Sequence, residues 1–274
     1  MKKTNYILLI IFSIVINTEA QSLRAFADSL YLSEKYYDAI TEYKRLLFFE
    51  NDEQNNYYAN FLIGECYKQG GKYDEAIEFF SKALLNANTD NEIYNSKMML
   101  FRTNLLRRTT DRAEQILKEI ENDYRFSDST NQIYYWKGWL NIFNDNFKTA
   151  AFYFNKNEEN IELKKICENT EKQLYSLTKA KIFSYILPGL GQFYSGEYLS
   201  GILSLGWVTL SGYLTVNAFA SERVFDGVVL GDLLLLRFYR GNIQNTEKFV
   251  IEKNNNIINK TLKNLQENYK GMKP

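Results

Sequence analysis

The chain has 274 residues, of which 45% are hydrophobic, and 33 basic residues balance 33 acidic ones. A chain of this length can hold two modest domains, and its balanced charge argues against a nucleic-acid partner. The sequence has no histidine, which excludes Ser-His and Cys-His nucleophile pairs and the commonest zinc ligand. The remaining Asp, Glu, Lys and Tyr residues form no recognisable constellation. We therefore predict a non-catalytic protein without a metal site or a cofactor.

Residues 1–20 have the pattern of a secretory signal peptide. Lys2 and Lys3 give a positive start, an apolar run of 11 residues extends from Tyr6 to Ile16, and Ala20 supplies a small residue for cleavage. A spanning helix needs about 20 apolar residues, so cleavage after Ala20 is favoured over an uncleaved anchor. Such a signal predicts export to the periplasm of a Gram-negative type cell.

Two cysteines, Cys66 and Cys167, stand far apart in the sequence without a CxxC pair. Two interpretations stay open. They are two small buried apolar residues, which we favour, or they form a disulfide, which an oxidising compartment would permit.

The segment that follows has helical patterns and repeats with a period of 37 residues. An alanine recurs at that interval: Ala39, Ala76, Ala113 and Ala150. A large apolar residue stands four positions later: Tyr43, Phe80, Leu117 and Phe154. Twelve positions before each alanine stand Ala27, Gly64, Phe101 and Gly138. In paired antiparallel helices, small residues let the backbones approach, and we expect the aromatic to fill the gap to the next pair. The alternative is a generic bundle in which the alanines coincide by chance.

These repeats resemble the tetratricopeptide repeat family. The second repeat fits best, and it holds the signature residues Gly64, Tyr67, Gly71, Tyr73, Ala76, Phe80 and Ala83. The first and third repeats are degenerate, the usual closing prolines are absent, and the period is longer than the usual length of about 34 residues. The resemblance implies a solenoid of helix pairs whose concave groove binds a protein partner.

The groove positions follow from the register of the repeats. Carried over in this way, they are Phe61, Glu65, Lys68, Met98, Arg102, Tyr135 and Trp139. For Tyr135 and Trp139 an alternative stays open, because both could simply pack against the following helix.

A charged segment from Asn155 to Lys181 is expected to continue as helix and to cap the array. Its apolar residues are spaced roughly for one face: Ile161, Ile166, Leu174 and Leu177. A solenoid end needs such a polar-backed cover to stay soluble. The array with its cap is expected to occupy residues 21–180.

Residues 181–242 have the composition of a membrane domain. Tyr198 to Ala220 is an uncharged run of 23 residues, and a helix of this length, about 35 Å, exceeds the hydrocarbon thickness of about 30 Å. Val224 to Tyr239 is also apolar but contains Asp232. A carboxylate within a bilayer costs about 3 kcal/mol, so we expect Asp232 to face the first helix in a structural role, an ion or proton role being the alternative. The two segments predict a transmembrane helical hairpin, and the alternative for the first is a buried helix of a soluble domain.

The stretch "LPGLGQFYSG" contains the one proline that precedes the terminal Pro274. It resembles the hairpin domain of small bacterial membrane proteins with a Pro-Gly-x-Gly-Gln-x-Tyr-x-Gly signature, which implies a membrane location more than an activity. The matching residues are Pro188, Gly189, Gly191, Gln192, Tyr194 and Gly196. We expect the proline to end a helix, the first two glycines to form an interfacial turn, Gln192 to bond exposed backbone, and Tyr194 to lie among lipid headgroups. A phosphate-binding glycine loop is disfavoured, because no Walker lysine or preceding strand accompanies these glycines.

Residues 243–274 predict an amphipathic helix. Its apolar face holds Ile251, Ile258, Leu262, Leu265 and Tyr269. We expect this tail to lie on the membrane or to pack against the repeat array.

The complete prediction is an all-α protein: a tetratricopeptide-like solenoid, a transmembrane hairpin and an amphipathic C-terminal helix. We expect it in the inner membrane, with the array in the periplasm, as a scaffold that contacts a protein partner and membrane lipid. The alternative is a membrane-active accessory, for assembly, insertion or passage of a small molecule, in which the glycine-rich hairpin is the working part.

Overall fold

A computed structural model describes residues 23–49 and 53–274, and in these residues all regular structure is helical. The predicted all-α class is therefore confirmed. The chain divides into two compact units, one holding the described residues up to Glu158 and the other running from Glu159 to Lys273. The predicted signal peptide, residues 1–20, lies outside the described residues.

The first unit is a succession of helices, each packed against the next. Its described helices are α1 (Leu23–Leu32), α2 (Tyr36–Phe49), α3 (Glu53–Gln69), α4 (Tyr73–Leu85), α5 (Asp90–Leu106), α6 (Thr110–Glu121), α7 (Thr130–Phe143) and α8 (Phe147–Phe154). A short 3₁₀ segment, Tyr124–Ser129, precedes α7. The helices pair as α1 with α2, α3 with α4, α5 with α6, and α7 with α8, so each pair corresponds to one repeat of the sequence.

The turn inside each helix pair repeats with the same period of 37 residues. One residue of each turn has a left-handed backbone: Glu34, Gly71, Arg108 and Asp145, with φ of 58°, 71°, 64° and 57°. The N–H of the next residue donates to a carbonyl in the last turn of the first helix, as Lys72 does to Tyr67 at 2.9 Å. This is the Schellman arrangement that commonly ends a helix. The repeat is thus encoded in turn backbone as well as in core side chains.

The predicted register of small and large residues is confirmed in the core. The four alanines are fully buried, as are Tyr43, Phe80 and Phe154. A Cβ atom at Gly138 would lie 2.5 Å from the ring of Phe154, so this aromatic packs on the small residue of its own pair. In the first repeat the Tyr43 ring also meets Tyr58 of the next pair edge-on at 6.3 Å, so the expected contact with the next pair is confirmed for that repeat. In the third repeat the sizes are exchanged, because buried Phe101 stands at the small position and Leu117 at the large one.

The second unit begins within a short 3₁₀ segment, Glu158–Asn160. Its helices are α9 (Ile161–Gln173), α10 (Leu177–Ile186), α11 (Leu190–Tyr194), α12 (Tyr198–Ala220), α13 (Val224–Leu230) and α14 (Arg237–Asn268). A π-helical segment, Gly231–Leu236, joins α13 to α14. The residues at these junctions keep helical backbone angles, so the chain continues as one rod from Val224 to Asn268.

The charged segment after the repeats is helical, but its apolar face differs from the predicted one. Helix α9 ends before Leu174, which is extended. The side chain of Asn254 holds this break, accepting from the Tyr175 N–H at 2.8 Å and donating to the Tyr175 carbonyl at 2.9 Å. Ile161 is exposed. The buried residues of α9 are Leu163, Cys167 and Thr170. Because the chain breaks at Leu174, the four predicted residues do not form one stripe.

Helix α12 is, among the described residues, the one helix long and apolar enough to cross a membrane. Glu222, with a left-handed φ of 61°, lies in the turn that follows it. The rings of Trp207 and Phe238 stack at 5.3 Å, and Gly227 lies against the ring of Phe219. Helix α13 and the start of α14 therefore run back along α12. That this helix pair spans a membrane stays a prediction.

The predicted tail, residues 243–274, is the continuation of α14. Ile258 and Leu265 are buried, whereas the other residues of the predicted face are partly or wholly exposed. The hydroxyls of Thr170 and Thr261 lie 3.0 Å apart, so α14 packs against α9 of its own unit. Helix α9 lies within residues 21–180, the predicted array with its cap, so the tail packs against the predicted capping segment. Contact of the tail with a membrane stays a prediction.

Both cysteines carry free, buried thiols. Burial raises the pKa of each thiol to about 12. The favoured interpretation, two small buried apolar residues, is confirmed.

Candidate functional site

The glycine-rich motif forms a tight connection between α10 and α12. Helix α10 ends at Ile186, and Leu187 is extended ahead of Pro188, as expected for the residue that precedes a proline. Gly189 follows with φ of +88°. A Cβ atom at Gly189 would also collide with the carbonyl oxygen of Gly201. Glycine is therefore required here for backbone angle and for the close approach of α12.

Asn242, on α14, holds the motif in place. Its Oδ1 accepts a hydrogen bond from the Gly189 N–H at 2.7 Å, and its Nδ2 donates to the Ser184 carbonyl at 3.2 Å. The Gln192 Nε2 donates to the Asn242 carbonyl at 3.3 Å. Asn242 is buried, so it fastens α10, α11 and α14 through groups that water does not reach. Its one signal in the sequence is that it ends the stretch "FYRGN", Phe238 to Asn242, which also suits the two-helix membrane domains that the motif resembles.

Gln192 is fully buried and joins this network to α12. Its Nε2 lies 2.9 Å from Ser204 Oγ, and the Ser204 hydroxyl donates to Gln192 Oε1 at 3.1 Å. Gly191 lies beside Ser184 and the Ala180 carbonyl, where a Cβ atom would collide with both. Gln192 thus bonds buried backbone and Ser204, where we expected it to bond exposed backbone.

The last two motif residues lie in the same connection. The Tyr194 hydroxyl accepts from the Ser176 N–H at 3.1 Å, and its ring meets the rings of Tyr175 and Phe183 edge-on, each at 5.5 Å. These contacts tie Tyr194 to its own unit, and its place among lipid headgroups stays a prediction. Gly196 has φ of +80° and forms the turn into α12.

Asp232 lies in the π-helical segment and is exposed. The sequence predicted that it faces the first helix of the hairpin. It borders a cleft that α12 also lines, and it makes no ion pair within 4 Å among the described residues.

The predicted groove residues lie on α3, α5 and α7, the first helices of three successive repeats. On α3 they recur at intervals that place them on one face: Phe61, Glu65 and Lys68. Helix α5, which carries Met98 and Arg102, begins at a capping box. There Thr89 Oγ1 accepts from the Glu92 N–H at 3.2 Å, and the Glu92 carboxylate accepts from the Thr89 N–H at 3.0 Å.

Three charged groove residues interact with one another: Glu65, Lys68 and Arg102. Burial raises the pKa of the Glu65 carboxyl, and the cations of Lys68 and Arg102 lower it in part. Burial and the neighbouring Arg102 bring the pKa of the Lys68 amine down to about 8. Lys68 is only 9% exposed. The Glu65 Oε1 atom is buried and has no hydrogen-bond partner among the described residues.

The aromatic side of the groove combines packing with contact to Arg102. The Tyr135 ring meets Phe154 of the following helix at 5.9 Å and Trp139 at 6.5 Å, both edge-on. Trp139 and Met98 are buried, which favours the packing alternative for Trp139. The Arg102 guanidinium lies 5.4 Å from the centre of the Trp136 ring. The sequence analysis did not include Trp136 among the groove residues. The one sign of Trp136 in the sequence was that a tryptophan directly follows the predicted groove residue Tyr135.

The helices of the first unit pair as the repeats predict, and the sequence of the second pair matches a known family. Residues 57–90 match the tetratricopeptide repeat family. The matched tetratricopeptide repeat holds Phe61, Glu65 and Lys68 on its first helix and ends at the start of α5. No curated protein matches the chain at a significant level.

A tetratricopeptide repeat is typically a non-catalytic interaction module, built to present a surface. Within the described residues, no group of three or more Cys, Asp or Glu side chains could hold a metal ion. The repeat and its groove residues therefore point to protein-protein interaction.

Proposed function

We propose that the chain is a non-catalytic periplasmic scaffold, tethered to the inner membrane, that holds a protein partner in the groove of its tetratricopeptide-like repeats. The observation that carries this proposal is the convergence of Glu65, Lys68 and Arg102 from two consecutive repeats. Burying three charged groups in one place costs folding free energy unless each is compensated. A binding role explains why these side chains stand in the groove.

The groove offers both charge and aromatic surface to a peptide chain. Two cations against one carboxylate leave it a net positive charge, and the half-buried Tyr135 supplies aromatic surface beside Arg102, whose guanidinium also lies near the buried ring of Trp136. The buried Glu65 Oε1 has unused acceptor capacity, and buried polar atoms in native proteins usually have partners. The atom has no accessible surface, so a partner's N–H or hydroxyl reaches it only after a side-chain movement.

Helix α12 supports the membrane tether. Its 23 residues give a length of about 35 Å, enough to cross a hydrocarbon core of about 30 Å. Much of the apolar surface of α12 and α13 is exposed, including Leu199, Ile202, Trp207, Leu210, Tyr213, Val216, Phe219, Val224, Phe225 and Val228. Exposed apolar patches of this extent typically mark membrane or protein contact. The signal-like residues 1–20 support the periplasmic location of the repeats.

The groove can be tested by photocrosslinking the full-length chain in its membrane. A benzoylphenylalanine placed at Tyr135 should give a discrete protein adduct. The same residue at Tyr124, an aromatic position outside the groove that is 86% exposed, should not give that adduct. Lys68→Met with Arg102→Met should abolish the Tyr135 adduct, because both charges are removed with little change in volume.

Equal adducts at both positions, or an adduct indifferent to the charge substitutions, would show that the groove is not the binding surface. A photocrosslink that stays confined to lipid or to the second unit would instead favour the alternative, a membrane-active accessory. One observation favours that alternative in particular, namely the polar cleft beside α12 that Asp232 borders.

A further inference from the structure

A polar cleft of about 640 Å³ lies between the first half of α12 and the start of α14. The stacked rings of Trp207 and Phe238 line it. Ser200 and Ser204 border it from α12. A polar cleft on a helix otherwise rich in exposed apolar side chains is unusual, because water and apolar surface do not mix favourably there.

The backbone is modified where the cleft begins. The π-helical segment Gly231–Leu236 contains Asp232 and directly precedes Arg237, and both residues line the cleft. A π-helical turn inside an α-helix is rare and is frequently found at functional sites. The altered turn therefore coincides with the charged wall of the cleft.

Four side chains with N–H donors line the cleft from α14: Arg237, Arg240, Gln244 and Asn245. All four are exposed, and among the described residues none has an ion pair or a side-chain hydrogen bond. The side chain of Asn242, which also lines the cleft, differs, because it is bonded to the backbone of Gly189 and Ser184. The cleft thus presents unused donors beside a satisfied amide.

The charges in the cleft favour an anion. Two guanidinium groups face one carboxylate, that of Asp232, so the lining carries a net positive charge. Guanidinium groups match the oxygens of phosphate in pairs of parallel hydrogen bonds. Basic pockets beside membrane helices are also suited to anionic lipid headgroups.

We infer that this cleft binds a phosphate group, carried by a phospholipid headgroup or by a soluble phosphate. Arg237 and Arg240 hold phosphate oxygens, and the amides of Gln244 and Asn245 donate to those that remain. The rings of Trp207 and Phe238 cover the apolar part of the ligand. The lipid source rests on the membrane tether proposed above, whereas binding of a phosphate group does not.

The test uses the full-length chain in a mild neutral detergent and three probes. They are dihexanoyl phosphatidylglycerol, inorganic phosphate and dihexanoylglycerol, which lacks phosphate. Arg237→Gln with Arg240→Gln should raise the Kd of the phosphate-bearing probe at least about tenfold, because two charge-assisted contacts are lost. Lys248→Gln with Lys263→Gln, exposed cations on the same helix, removes the same charge and should leave the Kd unchanged.

A third variant guards against a folding defect. Ser200→Phe fills the cleft from α12 and leaves both guanidinium groups in place, and it should also raise the Kd. Asp232→Asn should lower the Kd, because it removes a repelling charge. Thermal melting of each variant establishes that it is folded.

Tighter binding of dihexanoyl phosphatidylglycerol than of inorganic phosphate supports the site and assigns it to a lipid headgroup. Equal or tighter binding of inorganic phosphate supports the site and assigns it to a soluble phosphate. No binding of either phosphate probe, equal binding of dihexanoylglycerol, or equal loss in the two double variants would overturn the inference. Flotation of the wild-type chain with vesicles tests the membrane tether separately, so failure of one proposal is distinguishable from failure of the other.

Discussion

Gly64 and Phe80 face each other across α3 and α4 with no space for a side chain between them. A Cβ atom at Gly64 would lie 2.7 Å from the Cδ1 and Cε1 atoms of the Phe80 ring, which is fully buried. In the third repeat Phe101 stands at the position of Gly64 and the smaller Leu117 at that of Phe80, and both are buried. The two positions therefore act as a pair whose combined volume matters more than either residue.

Gly64→Ala should lower the free energy of unfolding by about 1–3 kcal/mol, because the added methyl group overpacks the core. Adding Phe80→Leu should cost less in this background than it does alone, since the smaller side chain makes room for the methyl. Gly70→Ala is the matched control, because its Cβ would make only ordinary contacts at 3.5 Å. Urea unfolding of the four variants measures this. Strict additivity of the two substitutions would refute the pairing.

Glu34→Gly should raise the free energy of unfolding by about 1 kcal/mol, because a side chain in the left-handed region is strained. Glu34 has φ of 58° and occupies the turn position that Gly71 fills in the second repeat. Lys35→Gly, one residue later and outside that region, should lower stability through the greater entropy of the unfolded chain. Thermal and urea unfolding distinguish the two. A loss of stability in Glu34→Gly would contradict the strained turn.

The burial of Lys68 predicts a pH dependence of stability. Its pKa in the folded chain is about 8, against about 10.4 for an unperturbed lysine. Below pH 8 the amine is charged in both states and its burial cost is fully present. Between about pH 8 and 10 the unfolded chain binds more protons, so the free energy of unfolding contributed by Lys68 rises.

Lys68→Met should therefore be more stable than, or as stable as, the wild type near pH 7, and any advantage should shrink as the pH rises to 10. Lys72→Met, at an exposed position, should differ from the wild type by a constant amount. Urea unfolding at several pH values gives both differences. A constant difference for Lys68→Met would show that its amine is not perturbed.

Asn242→Ala should destabilise the second unit by about 2–5 kcal/mol, because it leaves the buried Gly189 N–H and Ser184 carbonyl without partners. Asn259→Ala, on an exposed face of the same helix, should change stability by less than about 0.5 kcal/mol. Melting of the full-length chain in detergent, followed by circular dichroism, compares the two variants. Equal melting temperatures would mean that Asn242 does not fasten the motif.

The sequence alone was sufficient for the period, the class of fold and the buried register, because small and aromatic residues recur at fixed spacing. It was sufficient also for the helix end at Pro188. Its limits appear where distant residues meet. The side chain of Asn254 holds the break at Tyr175, and Asn242 bonds to Gly189, yet neither asparagine differs in sequence from its exposed neighbours.

The groove shows the same division. The register placed Glu65, Lys68 and Arg102 near one another because they lie at equivalent faces of successive first helices. The register did not indicate how exposed each side chain is. Met98 and Trp139 were predicted to line the groove, and both are buried. The residue type of Tyr194 predicted a place among lipid headgroups and gave no sign that its hydroxyl accepts a hydrogen bond from the Ser176 N–H.

The π-helical segment has one further consequence for the rod from Val224 to Asn268. A wider turn holds one residue more than an α-helical turn, and each residue of an α-helix accounts for about 100° of rotation and 1.5 Å of rise. Deleting Leu233 would restore α-helical winding and swing α13 about the axis by that angle relative to α14. Gly227 would then leave Phe219, so a single peptide unit determines which side of α13 meets α12.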